Sequence, residues 1–337
     1  MRKKILSILQ YLLFLGLGIF LVWWSIHKIG DKGWEQFKQA MTEARYWLIL
    51  PVAFILLLSH YFRTLRWKLL MEPMGYKPRF TNAYFAVLIG YLANLAVPRL
   101  GEVLKCTILG KYEKVPADKL IGTIVLERAI DFLTLILVFI LSLILESHIV
   151  GEYASDMVKR VYQDKQGSFS YSRIGLIIIA IVVVIIGTRY LFKKFAHISF
   201  VEKIKNILIG VWAGLSSVQH MKKRWLFTLY SILIWACYLT GTYIGFFAMA
   251  DTSSVPFNAA FPVLAFASIG MILTPGGIGA YAFFLAAVLQ LYNIPEPIGF
   301  ANGTLQWFAQ FLIVLSSGFI ALLLLPWYNK KFPHAQR

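Results

Sequence analysis

Charge is scarce in this chain. Of its 337 residues only 15% are charged and 59% are hydrophobic, whereas soluble domains run at about 25% charged and about 45–50% apolar. With a mean hydropathy of +0.68, a soluble globular protein is excluded and an integral membrane protein is indicated. Acidic residues are the scarcest charge, 16 against 33 lysines and arginines. The basic residues are scattered through short loops between apolar runs, so topology and anionic lipid account for the excess and no nucleic-acid partner is expected. Cysteine is nearly absent: Cys106 and Cys237 both fall in apolar segments, which excludes a disulfide framework and a cysteine zinc site. The histidines show no metal-ligand spacing. There is neither a phosphate-cradling loop ending in Gly-Lys-Ser/Thr nor a nucleophile-elbow serine. No metal, cofactor or catalytic residue is therefore expected, and the chain is not read as an enzyme. No polar stretch is long enough to fold separately, so residues 1–337 are read as one membrane domain.

What is present is a series of apolar runs. A helix needs about 20 residues to cross the hydrocarbon. Full spans are expected at about 5–26, 46–66, 120–145, 173–192, 225–249 and 299–325. Arg2, Lys3 and Lys4 ahead of the first run imitate a signal peptide, but the run is too long for one, and Trp23 and Trp24 suggest an interfacial anchor. Two further runs, about 81–112 and 258–292, are broken in the middle by proline and glycine. Each of their halves is too short to cross alone, so each run is expected to enter and leave on one side. Residues 188–224 carry eight basic residues against Glu202 alone, and residues 63–79 carry five against Glu72. Residues 146–173 balance, and 250–257 hold only Asp251. With six crossings and two re-entrant pairs, every strongly basic segment falls on one side and both termini are cytoplasmic. The expected fold is an all-α polytopic membrane protein whose halves form an inverted repeat. Residues 193–224 space apolar residues and lysines as a surface helix would; a solvated connector fits equally.

The breaks carry the chemistry. The first reads Asn94-Leu95-Ala96-Val97-Pro98-Arg99-Leu100-Gly101-Glu102. Proline disfavours helix at the residue before it, so the chain should break near Val97 and a new helix begin near Leu100. A helix N-terminus inside the membrane suits an anion, and Arg99 there can grip phosphate in a bidentate manner. Glu102 is in reach of Arg99 or Lys105. The second break, Thr274-Pro275-Gly276-Gly277-Ile278-Gly279, has no charge, and its glycines allow positive φ and close backbone approach. Paired breaks of this kind point to a transporter substrate site. Glu127, Arg128 and Asp131 cluster within the span 120–145, where charge is costly and faces protein or water. They read either as a polar wall or proton relay, or as salt bridges locking that span to the first break. His60, Arg63 and Arg66 close the span 46–66 beside Trp67; snorkelling to the interface accounts for most of that group, with headgroup loading by Arg63 as the alternative.

These residues resemble the transmembrane region of the lysylphosphatidylglycerol synthase family, the flippase-like domains. The resemblance runs from Arg63-Thr64-Leu65-Arg66-Trp67 to Leu325 through Asn94–Glu102, Glu127-Arg128–Asp131 and Pro275-Gly276-Gly277–Gly279. It implies a domain that moves a modified phospholipid between leaflets of an inner (plasma) membrane. A separate lipid-modifying enzyme as a partner and a homo-oligomer are further expectations. The chain ends at Arg337 without a region resembling the soluble aminoacyl-transferase domain, so no aminoacylation is implied. Relatives often carry an acidic residue after the Pro-Gly-Gly motif, where Gly279-Ala280-Tyr281-Ala282 has none, and Lys105 stands where arginine is common.

The expected activity is translocation of an anionic or aminoacylated phospholipid, or of a polyprenyl-phosphate lipid. Arg99, Glu102, Asn94, Lys105, Glu127, Arg128, Asp131, Gly276, Gly277 and Gly279 would meet the headgroup. Pro98, Gly101 and Pro275 would form the breaks. The alternatives are a secondary transporter of a small anionic solute, a membrane enzyme acting on lipid headgroups, and a non-transporting partner subunit.

Overall fold

The computed structural model describes residues 2–97, 99–148 and 222–332, and those residues are helical with short connections. Pro98, the expected span 173–192 and most of the segment 193–224 lie outside the described residues. Nine α-helices are described: α1 (Arg2–Thr42), α2 (Ile49–Met71), α3 (Phe80–Ala96), α4 (Leu100–Glu113), α5 (Ala117–Leu145), α6 (Arg224–Phe246), α7 (Ala260–Leu273), α8 (Ala280–Gln290) and α9 (Glu296–Lys331). Five of them, α1, α2, α5, α6 and α9, are long and apolar enough to cross a membrane. The protein is thus an all-α polytopic membrane protein.

Local sequence accounts for the boundaries. Pro116 and Pro295 stand immediately before α5 and α9, where a missing N–H costs nothing. Val97 is extended, at φ −138° and ψ 118°, as the residue before a proline should be, and it ends α3. α1 is longer than the expected 5–26: it continues to Thr42 through a kink at Gly30, whose φ of 63° is readily adopted only by glycine. α2 also overruns its expected end and places Arg63 and Arg66 more than a turn inside the helix. α3, α4, α7 and α8 have 17, 14, 14 and 11 residues. At 1.5 Å per residue each is shorter than the ~30 Å hydrocarbon core.

The packing has a regular plan. α2 lies on α6. α3 pairs with α4 and rests on α9, while α7 pairs with α8 and rests on α5. α4 reaches α5 as α8 reaches α9, and α2 reaches α3 as α6 reaches α7. Exchanging α2–α5 for α6–α9 turns these contacts into one another. α1 stands outside the scheme and covers α8, α9 and the Pro275–Gly277 turn. Each half has its own apolar core, around Trp67, Val87, Leu109 and Leu120 in the first and Val263, Leu285 and Leu289 in the second. Val138, Ile234, Trp235 and Leu264 join the two.

Candidate functional site

The first break is built by close backbone approach. Gly90 on α3 faces Gly101 on α4 so tightly that a Cβ on Gly101 would overlap the Gly90 carbonyl oxygen. Arg99 sits at the break with φ 68°, in the left-handed region. Its side chain is exposed and has no ion-pair partner among the described residues. The first N–H groups of α4 are not left open. Leu100 N–H donates to Val97 O at 3.2 Å, Gly101 N–H to Asn94 Oδ1 at 2.8 Å and Glu102 N–H to Arg99 O at 3.3 Å. This corrects the expectation of a bare helix end: an anion at the break would meet side chains, not the first backbone donors. Asn94 is accordingly a cap.

Behind the break lies a network of charges on α2, α4 and α5. Asp131 accepts from both arginines of α2, Arg63 Nη1 to Oδ2 at 2.7 Å and Arg66 Nη2 to Oδ1 at 2.7 Å. Lys105 Nζ meets Glu127 Oε2 at 2.5 Å and lies 4.6 Å from the centre of the Trp67 ring. Arg66 Nη2 is 3.8 Å from Glu127 Oε1. Arg66 and Glu127 are both 0% exposed. Helical spacing produces this: Arg63 and Arg66 are three apart on α2, and Glu127 and Asp131 four apart on α5, so each pair shares a face. Ser231 Oγ, 3.2 Å from Arg66 Nη1, and the Tyr238 hydroxyl, 3.1 Å from Arg63 Nη2, bring α6 into the network. His60, buried and stacked on Tyr91 at 4.3 Å between ring centres, has no hydrogen bond to either ring nitrogen among the described residues.

Several expectations change here. Arg63 and Arg66 do not snorkel; both are buried and paired, because two α5 carboxylates stand opposite them. Glu102 pairs with neither Arg99 nor Lys105. It lies 3.2 Å from Arg128 Nε, and this is the accessible pair of the network, with the Arg128 side chain 47% exposed. Between Arg63, Gly90, Asn94, Glu102, Lys105 and Arg128 is a void of about 20 Å³, room for one water molecule. The four cations Arg63, Arg66, Lys105 and Arg128 outnumber the three carboxylates Glu102, Glu127 and Asp131 by one.

The second break is neutral. Gly276, Gly277 and Gly279 have φ of 62°, 75° and 70°. A Cβ on Gly279 would overlap the Gly18 carbonyl oxygen of α1. Trp307 Nε1 donates to Gly276 O at 2.7 Å, and Thr274 Oγ1 to Ile278 O at 3.0 Å. A chain of amides and hydroxyls continues from it. The Tyr281 hydroxyl is 3.3 Å from Gln306 Oε1, Gln306 Nε2 donates to Asn302 Oδ1 at 2.8 Å, and Asn302 Nδ2 donates to Gly245 O at 2.9 Å. Asn302, Gln306 and Gln310 form an i, i+4, i+8 amide stripe on α9. That spacing was visible in the sequence and is the signal the sequence reading missed. The stripe borders a cavity of about 170 Å³ between α2, α6, α7 and α9. Among the described residues no cluster of three histidine, cysteine, aspartate or glutamate side chains could hold a metal.

Five long apolar helices, short apolar helices broken at glycine, and a charge network between them define a polytopic membrane protein with a polar interior. The chain belongs to the lysylphosphatidylglycerol synthase transmembrane region family, whose pattern matches residues 8–318. That match reaches further toward the N-terminus than the resemblance first seen from Arg63. The chain is also similar to a UPF0104 membrane protein of Methanocaldococcus jannaschii, 23% identical over 285 residues, covering 81% of this chain and 84% of that one. No solved structure matches the chain.

Proposed function

We propose that this protein moves an anionic or aminoacylated phospholipid, or a polyprenyl-phosphate lipid, between the leaflets of the plasma membrane, without an ATPase or enzymatic activity of its own. The observation that carries this reading is the charge network at the first break. Seven charged side chains stand within apolar helices, one positive charge is in excess, and Arg99 and Arg128 are accessible at its edge. Charge so placed in a membrane protein is costly and marks a path for a polar group. Membership of a family tied to lipid handling favours a lipid headgroup as that group.

In this reading α3–α4 and α7–α8 are re-entrant pairs, each too short to cross. The exchange of contacts between α2–α5 and α6–α9 supports an inverted repeat, as does the contact of α3 with the Pro275–Gly277 turn. Both termini face the cytoplasm, where the basic loops gather. The acyl chains stay in lipid and only the headgroup passes the breaks. Arg99 and Arg128 take its phosphate, and Glu102 releases Arg128 to do so. A separate lipid-modifying enzyme would supply the cargo, and a homo-oligomer would be compatible with it.

Reconstitution into liposomes with fluorescent anionic lipids tests this. Leaflet exchange should exceed that of empty liposomes, and Arg99→Ala should slow it about tenfold, the effect of losing one charge-assisted hydrogen bond of ~1.5 kcal/mol. Exchange no faster than in empty liposomes across several lipid classes would sink the proposal. Proton-coupled uptake of a small anion without lipid exchange would replace it with solute transport.

A further inference from the structure

The cavity of about 170 Å³ takes no part in the charge network, yet it touches it. The Tyr238 hydroxyl accepts from Arg63 on one side and Tyr238 lines the cavity on the other. We infer that this cavity is the headgroup subsite for a phospholipid with a small uncharged polyol headgroup, its phosphate held at the rim by Arg45. The inference rests on the lipid-handling reading for the source of the ligand; the selectivity is argued from the cavity itself.

Size comes first. An engineered protein cavity of about 150 Å³ holds benzene, a molecule of six heavy atoms. Glycerol also has six heavy atoms, whereas a fatty acyl chain has far more and would not fit. Polarity comes second. Thr242, Ser268, Gln306, Gln310, Tyr238 and Tyr281 face the space together with apolar side chains, and among the described residues no carboxylate does. The side chains of Ser268 and Gln310 make no hydrogen bond to any described residue. A hydroxyl and a primary amide both donate and accept, which is what a neighbouring pair of alcohol groups requires. An ammonium group in the same place would be desolvated with no counter-charge, a costly arrangement. The third element is the rim. Arg45 is exposed, with its backbone N–H bonded to Ala248 O at 2.8 Å and Nη1 only 3.4 Å from Phe247 O. Most of its guanidinium donors have no partner among the described residues and can meet a phosphate.

Charge thus selects the phosphate and the amide stripe selects the group attached to it. Native mass spectrometry of the full chain can test this with equimolar phosphatidylglycerol and lysyl-phosphatidylglycerol of matched acyl chains. Phosphatidylglycerol should be retained at least about tenfold better than the cationic lipid, the discrimination expected for one unpaired buried charge. Gln310→Leu and Ser268→Val should each lower its retention without altering the melting temperature. Gln310→Glu, which keeps the side-chain size and adds a counter-charge, should shift the ratio about tenfold toward the lysyl lipid. Equal retention of both lipids by the wild type, retention of neither, or an unchanged ratio in Gln310→Glu would overturn the assignment. Binding is read here without transport. A protein that selects phosphatidylglycerol as described but exchanges no lipid would refute the translocation reading and uphold the cavity.

Discussion

The two breaks solve one problem with opposite chemistry. At the first, α3 and α4 meet through Gly90 and Gly101, and the polar interior behind them is ionic, with a void of only about 20 Å³. At the second, α7 and α8 meet through positive-φ glycines, and the interior is amide and hydroxyl, with about 170 Å³ open beside it. The interior that holds the charge network has no room, and the interior that has room carries, among the described residues, only Arg45 at its rim. Desolvation explains the difference. A buried guanidinium or carboxylate is tolerable only when a counter-charge is within hydrogen-bond reach, so the ionic half must collapse on itself. An amide loses far less when one of its bonds goes unmade and can face a void.

The comparison can be broken by mutation. The largest effect is expected for Asp131→Ala, which removes the carboxylate hydrogen-bonded to both Arg63 and Arg66. Removing one member of a buried ion pair costs about 3–5 kcal/mol, and thermal unfolding of the purified protein in detergent should show it. A shift no larger than that of a neutral-network variant would mean that the ionic half is not held by its charges. Next is Lys105→Met, which leaves Glu127 buried with only Arg66, 3.8 Å away. Adding Glu127→Leu should recover most of that loss, since apolar replacement of a whole buried pair is often neutral; a double variant as unstable as the sum of both singles would contradict the pairing.

Asn302→Leu, the matching lesion in the neutral half, should cost about 1–3 kcal/mol, the penalty for leaving buried polar partners unpaired. The smallest effect belongs to Arg99→Ala. Its side chain is exposed, so stability should stay within about 0.5 kcal/mol of wild type while lipid exchange slows. Destabilisation comparable to that of Asn302→Leu would assign Arg99 a structural role and remove it from the headgroup path.

Much of the first half was legible in advance. Val97 as the end of one helix and Leu100 as the start of the next follow from proline sterics, and Glu127 with Asp131 on one face follows from helical periodicity. The partners were not. Glu102 is near both Arg99 and Lys105 along the chain, yet it pairs with Arg128 of α5, because α4 packs on α5 and brings the two side chains together at the edge of the network. Arg63 and Arg66 looked like interfacial residues because α2 was expected to stop at 66. Its extension to Met71 carries them into the interior. The amide stripe of α9 was readable, but it has no charge and so did not stand out in an apolar run.

By itself the sequence determined that this is a helical membrane protein, where its apolar runs are interrupted, and that the two interruptions differ in charge. Those properties depend on the solvation of single residues and on backbone sterics between neighbours. Tertiary structure alone decided which charges neutralise one another, that the first turn of α4 is already capped, and that the open space lies beside the neutral stripe. The cap depends on the close approach of α3 to α4 at Gly90 and Gly101, and the other two on how closely α2, α4, α5, α6 and α9 approach, a sum of side-chain volumes and counter-charges from segments far apart in the chain.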